Sequence, residues 1–324
     1  MSGVLRPTDL LCAVSGLLVS VLLLMNSPAD GGAAGYQTVQ SISTLGTRGD
    51  AVLYSVSGIA VDRRRNLYVT DMLDYSVKKF DRGGACVARV GRRGAGPGEF
   101  KSPALSLVTG ERLLVLQTQD HRIQVFDTDL RYRGEIVVQG GMPVDIAHGR
   151  SRTVAVALYT DSSRAVVLTY DGPEGRDPHR IPLEPTGEIH PLYSACRIAL
   201  SRDGTLVAAY LFLNRVEIYG PDGRFLRRFS VDGMPRAETH EADGQVPEKT
   251  FVRKVLVDGS ENILLLGGNQ ASHPGRDVFM YRPDGSHVRT FILPFRSRVI
   301  AGGENNTVYA TDEAGTRVDT YILR

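Results

Sequence analysis

The stretch Ser57–Asp71 reads SGIAVDRRRNLYVTD. An apolar strand runs into a polar turn, and a second apolar strand follows. The same plan returns at Cys196 as CRIALSRDGTLVAAY, at Arg253 as RKVLVDGSENILLLG and at Arg298 as RVIAGGENNTVYATD. Asp62 to Leu67, Ser201 to Leu206 and Asp258 to Ile263 keep one spacing across the turn. Looser copies begin at Leu105 (LSLVTGERLLVLQ) and Asp145 (DIAHGRSRTVAVALY). Ile59, Leu105, Ile146, Ile198, Val255 and Ile300 are then equivalent positions, separated by steps of about 41 to 57 residues. Periods of roughly 40–50 residues built from short strands belong to propeller blades.

Working outward, each unit gains a third strand: SVKKFD ending at Asp81, RIQVFD at Asp127, RVEIYG at Gly220 and DVFMYR at Arg282. Turns such as Pro221-Asp222-Gly223 and Pro283-Asp284-Gly285 follow, supplying the fixed and left-handed φ values a hairpin needs. A fourth strand comes next, except in the last unit, where Val318–Leu323 nearly ends the chain. Gln37–Leu45 (QTVQSISTL) precedes the first unit and lacks a partner of its own. The reading is therefore an all-β, six-bladed β-propeller over residues 36–324, with the N-terminal strand closing the last blade and removing two open edges.

Residues 1–35 stand apart from this fold. Leu10–Met25 (LLCAVSGLLVSVLLLM) is a continuous apolar run, expected as one N-terminal helix. Two readings stay open: a signal peptide cleaved near Ser27-Pro28-Ala29, or a retained membrane anchor followed by a linker. Sixteen helical residues span about 24 Å, short of a hydrocarbon core of about 30 Å but tolerable with local thinning. Arg6 before the run, with no Lys or Arg after it until Arg48, places the N-terminus in the cytoplasm. Either way the body is expected on the periplasmic or extracytoplasmic side. Cys86 and Cys196 fall in opposed blades, too far apart for a disulfide, and read as core fillers.

The block GRRGAGPGEFKSP (Gly91–Pro103), the strands LYVTD and VYATD, and the following VKKFD resemble the repeats of NHL propellers over most of residues 52–324. The resemblance implies the fold more than an activity, since such propellers include binding modules, lactonases and lyases. The glycines of Gly91–Gly98 lead into Pro103 and a strand. A phosphate loop leads into a helix, so the block reads as an inter-blade turn with Phe100 packed between sheets.

Lactonase-like and lyase-like propellers hold a divalent cation at the channel mouth with several hard oxygen ligands. Here the starts of the innermost strands carry Ser57, Ser102, Asp145, Arg197, Lys254 and Arg298. One carboxylate against three cations disfavours a metal there. Arg197, Lys254 and Arg298 form instead a candidate anion site, against the alternative that they are solvated or paired with loop carboxylates. No catalytic set and no cofactor motif stands out. The net charge of +2 gives no footprint for nucleic acid.

The longest connections, 184–195, 231–250 and 267–277, all share one face. Function concentrates on loops held by a rigid scaffold. Arg236, His240, Glu241, Asp243, His273 and Arg276 are therefore the candidate contacts for a protein partner. The expected function is an exported, membrane-tethered scaffold module, an accessory subunit of a membrane complex. The alternative is a lactonase- or lyase-like enzyme with a metal at the channel mouth.

Overall fold

The computed structural model describes residues 36–38, 43–45, 51–149, 153–160, 164–173, 175, 177–187, 191–232, 250–268, 275–304 and 306–323. The apolar run Leu10–Met25 lies outside them. Among the described residues no helix is long and apolar enough to cross a membrane.

Among the described residues six sheets follow one another along the chain, each built on antiparallel blade strands. Blade one comprises Val56–Val61, Leu67–Asp71, Ser76–Phe80 and Cys86–Val90. Blade two comprises Pro103–Thr109, Arg112–Gln117, Arg122–Asp127 and Tyr132–Val137. Blade three has Met142–His148, Val154–Tyr159, Val166–Tyr170 and His179–Pro182, and blade four has Cys196–Leu200, Leu206–Tyr210, Val216–Tyr219 and Phe225–Phe229. Blade five has Val252–Val257, Ile263–Gly267, Asp277–Tyr281 and His287–Ile292. Blade six has Ile300–Gly302, Thr307–Thr311 and Val318–Ile322. Inner strands of successive blades touch, and that of blade six touches that of blade one, so the sheets form a ring.

Strand composition follows depth. Second strands such as Leu67–Asp71, Leu206–Tyr210 and Ile263–Gly267 are buried throughout, because each sheet packs against a neighbour on both faces. The outer strand Cys86–Val90 alternates between exposed and half-buried residues and reads as a period of two. The core is accordingly a set of clusters between blades. Ala155, Ala157, Val167 and Ile181 of blade three meet Ile198, Leu206, Ala208 and Tyr210 of blade four. Gly58 is required where inner strands approach, since a Cβ there would lie 2.7 Å from the Ser106 nitrogen. Phe100 is fully buried against Phe126, as expected, and Gly91 (φ +115°) leaves room for its ring.

Within the segment expected to reach blade six, Ser43–Leu45 pairs antiparallel with Val318–Thr320. Tyr36–Thr38 pairs in parallel with Thr290–Ile292 of blade five. Leu45 is buried with Leu53, Val56, Phe80 and Val318, at the junction of blades six and one.

Candidate functional site

Each inner strand starts on the face that carries the blade-to-blade connections, hereafter the long-loop face. It ends on the face of short hairpins. The channel between the inner strands is a cavity of about 690 Å³ with an apolar waist that includes Ile59, Ile146, Ile198, Val255 and Ile300. His148 lies at its short-turn end, where burial among the strands lowers its pKa from the ordinary imidazole value.

At the long-loop mouth, Asp145 is fully buried and accepts hydrogen bonds from the Ile146 and Ile198 amides, both at 3.0 Å. The Lys254 ammonium lies 2.7 Å from the same carboxylate, so one ion pair ties blades three, four and five together. Arg197 donates to the Val144 carbonyl. Arg298 is exposed on the rim, and its amide donates to Thr311 Oγ1. Of the three cations expected at the mouth, one is thus neutralised by Asp145, one is held by backbone and one faces solvent. Beside this pair, burial raises the Cys196 thiol to about 12, which makes it an inert filler.

A second polar centre lies inside blade four. Glu217 is fully buried and accepts from Arg215 Nε at 2.8 Å, Arg228 Nε at 2.9 Å and the Tyr210 hydroxyl at 2.9 Å, with the Tyr219 hydroxyl as a further donor. Arg215 also donates to the carbonyls of Glu184 and Pro185, and Tyr219 accepts from the Glu184 amide. The centre latches the start of a long connection to the blade. Equivalent third-strand positions in other blades carry Lys78, Gln124 and Asp319. Lys78 binds the Val52 carbonyl and Gln124 the Glu99 carbonyl, so two of them strap inter-blade loops in the same way.

The ends of the 233–249 segment are also pinned. The Asn214 amide exchanges two hydrogen bonds with Val231, Tyr281 accepts from the Asp232 amide, and the Phe251 amide donates to Leu211. Both ends therefore rest on the connection between the second and third strands of blade four. Of the candidate partner contacts, Arg236, His240, Glu241, Asp243 and His273 lie outside the described residues. Arg276 is exposed on the long-loop face.

The exposed large apolar residues are distributed unevenly. Among the described residues, Tyr54, Leu73, Met142 and Phe295 lie on the long-loop face, while Val87, Val137, Phe225 and Leu226 lie on outer strands. None is in a short-turn hairpin. Tyr54, Leu73 and Phe295 share one arc. Arg317 stacks on Phe295 at 4.4 Å, the Val56 amide donates to the Gly315 carbonyl, and the Met72 amide donates to the Ser55 carbonyl. Sequence reasoning missed this arc because each residue stands alone in an irregular connection. Among the described residues no group of three or more His, Cys, Asp or Glu is placed to hold a metal ion.

A family model described as a 6-bladed beta-propeller matches residues 38–141. No curated protein matches the sequence. Virginiamycin B lyase from Staphylococcus aureus superposes with a TM-score of 0.55 at 12% identity, covering 84% of this chain and 85% of that one. The luciferin-regenerating enzyme gives 0.57 at 12% identity over 84% and 92%. The WD40 β-propeller domain of Doa1 gives 0.55 at 11% identity over 83% and 79%. Two enzymes and one WD40 domain thus share the architecture, and at these identities the likeness shows the fold alone.

Proposed function

We propose that this six-bladed propeller is exported, tethered to the membrane through Leu10–Met25, and docks another protein on its long-loop face as an accessory subunit of a membrane assembly. The observation that carries the reading is the arc of Tyr54, Leu73 and Phe295, exposed at 55, 62 and 52%, with Arg317 against the Phe295 ring. Exposed aromatic and arginine side chains grouped on one rigid surface are what interface hot spots are made of. The long connections share that face, and the Glu217 centre and Asn214 hold their roots in place. Closure of the ring by Ser43–Leu45 belongs to the same reading. The NHL-like character of the repeats rests on the motifs of Gly91–Pro103 and the LYVTD and VYATD strands.

The test is isolation of the full chain from native membranes in mild detergent, beside a variant with residues 233–249 shortened to a tight turn. The shortened chain is expected to melt as the parent does, because both roots of the segment are bonded to blade four. Loop length changes closure entropy by only about 0.6 kcal/mol per doubling. The parent is expected in a complex and the variant depleted from it. Recovery of the parent only as a free monomer refutes the reading.

A further inference from the structure

Among the described residues, the rim over blades five and six gathers four arginines, Arg253, Arg276, Arg296 and Arg298. Arg253 is half-buried and donates to the Ser297 carbonyl at 3.1 Å. Ser297 is itself buried, held through its amide by the Gly275 carbonyl, and this fixes the connection that carries Arg296 and Arg298 on either side. Arg276 follows Gly275 directly, and the position of a Cβ on Gly275 would lie 3.6 Å from the Arg253 guanidinium carbon. Burial lowers the pKa of Arg253, and the neighbouring Arg298 and Arg296 lower it further, with Glu313 opposing them.

Arg276, Arg296 and Arg298 are exposed, whereas the carboxylates of Asp277 and Asp319 are buried. Glu313, 3.7 Å from Arg296, is the exposed carboxylate of the group among the described residues. Among the described residues, three exposed guanidiniums therefore face one exposed carboxylate. Phe295 stands beside them with Arg317 against its ring.

We propose that this rim binds an acidic segment of a protein partner, its carboxylates taken by Arg276, Arg296 and Arg298 and an apolar side chain set against Phe295. The inference deepens the docking function and rests on it. Guanidiniums pair with carboxylates through two parallel N–H donors, so a cluster of arginines fits this chemistry better than a diffuse field would. An anionic lipid surface is the weaker occupant. Such attachment takes clusters of about four to eight basic residues, and the exposed rim groups among the described residues leave a net excess of two charges. A partner carboxylate, in contrast, adds hydrogen bonds to the same attraction and relieves the repulsion within the cluster.

The experiment uses the full chain in detergent and a short fluorescein-labelled peptide with glutamates around one phenylalanine, read by fluorescence anisotropy. A matched peptide with glutamines in place of glutamates is the control. The variant is Arg296→Gln with Arg298→Gln, both exposed, so the fold is expected to persist. The glutamate peptide should bind the parent, lose about tenfold or more in affinity on the double variant, and outcompete the glutamine peptide. Equal binding of both peptides, equal binding to parent and variant, or no binding overturns the proposal. So does an undiminished peptide affinity in the variant accompanied by loss of sedimentation with phosphatidylglycerol vesicles. If the double variant still enters its native complex undiminished, the acidic anchor fails and docking stands. If the parent forms no complex, docking fails and the peptide measurement still decides the anchor.

Discussion

Replacing Glu217 by alanine is expected to cost about 3–5 kcal/mol, because it breaks a buried ion pair from one side. The carboxylate is fully buried and is the common acceptor of Arg215, Arg228, Tyr210 and Tyr219. Arg228 is 45% exposed and can turn to water. Arg215 is 10% exposed and cannot. It keeps the Glu184 and Pro185 carbonyls but loses its counter-charge. Glu217→Gln retains an acceptor while removing the charge, so its cost should fall to about 1.5–3 kcal/mol.

The informative variant is the pair Arg215→Met with Glu217→Leu. Removing both charges together avoids stranding either, and buried pairs replaced by apolar residues are often neutral or better. The double variant should therefore be more stable than Glu217→Ala alone, although the latch on Glu184 is lost. Urea melts read at equilibrium, with unchanged m-values, supply the comparison. A cost below about 1 kcal/mol for Glu217→Ala, or a double variant less stable than that single one, would refute the argument that the arginine is held by its counter-charge.

Deleting residues 36–45 should lower the melting temperature far more than its length suggests. It removes strand pairing on two blades and the buried Leu45, several bonds at about 0.5–1.5 kcal/mol each against a domain stability of roughly 5–15 kcal/mol; an unchanged melt would show that this segment does not close the ring. Asp74 titrates at about 2: burial raises its pKa, but hydrogen bonds from Lys78, Ser76 and Arg89 outweigh that and depress it below 3.8. A depressed carboxylate stabilises above its unfolded pKa and loses that contribution as pH falls from about 4 to about 2, so Asp74→Asn should flatten the acid limb of a stability–pH curve in that window. Arg65 sits at φ +64°, exposed, with a 3.6 Å pair to an exposed Glu304. Arg65→Gly should gain up to about 1 kcal/mol in a urea melt, and a loss would show that the pair outweighs the strained backbone.

The ring was legible because blade repeats are written in the inner and second strands, where burial on both sheet faces demands apolar residues. Phe100 and the glycine block were legible for the same reason: a bulky ring and a left-handed Gly91 leave a recognisable spacing. The polar centre of blade four was harder. Glu217 in VEIY looks like the solvent side of an alternating strand, yet the third strand is covered on both faces. The repetition of Arg215-Val-Glu217-Ile-Tyr219 as Arg317-Val-Asp319-Thr-Tyr321 was the available signal, since a charged pair beside a tyrosine at one register marks a buried strap. Arg253 escaped notice beside Lys254 because the inner strand of blade five shifts register between Val252 and Lys254. Lys254 reaches Asp145 across the mouth, and Arg253 reaches Ser297 on the rim. A period of two cannot foresee such a bulge. Arg276 and Arg298 were read from sequence as parts of two separate sites, and the structure brings both to the rim beside Arg253.

The central claim is that a protein partner sits on the long-loop face. Photo-crosslinking residues placed singly at Phe295 and Arg298, and on the opposite face at Arg63 and Asp222, test it in native membranes. Discrete higher-mass adducts are expected from Phe295 and Arg298 and none from Arg63 or Asp222. Adducts from Arg63 and Asp222 alone would contradict it.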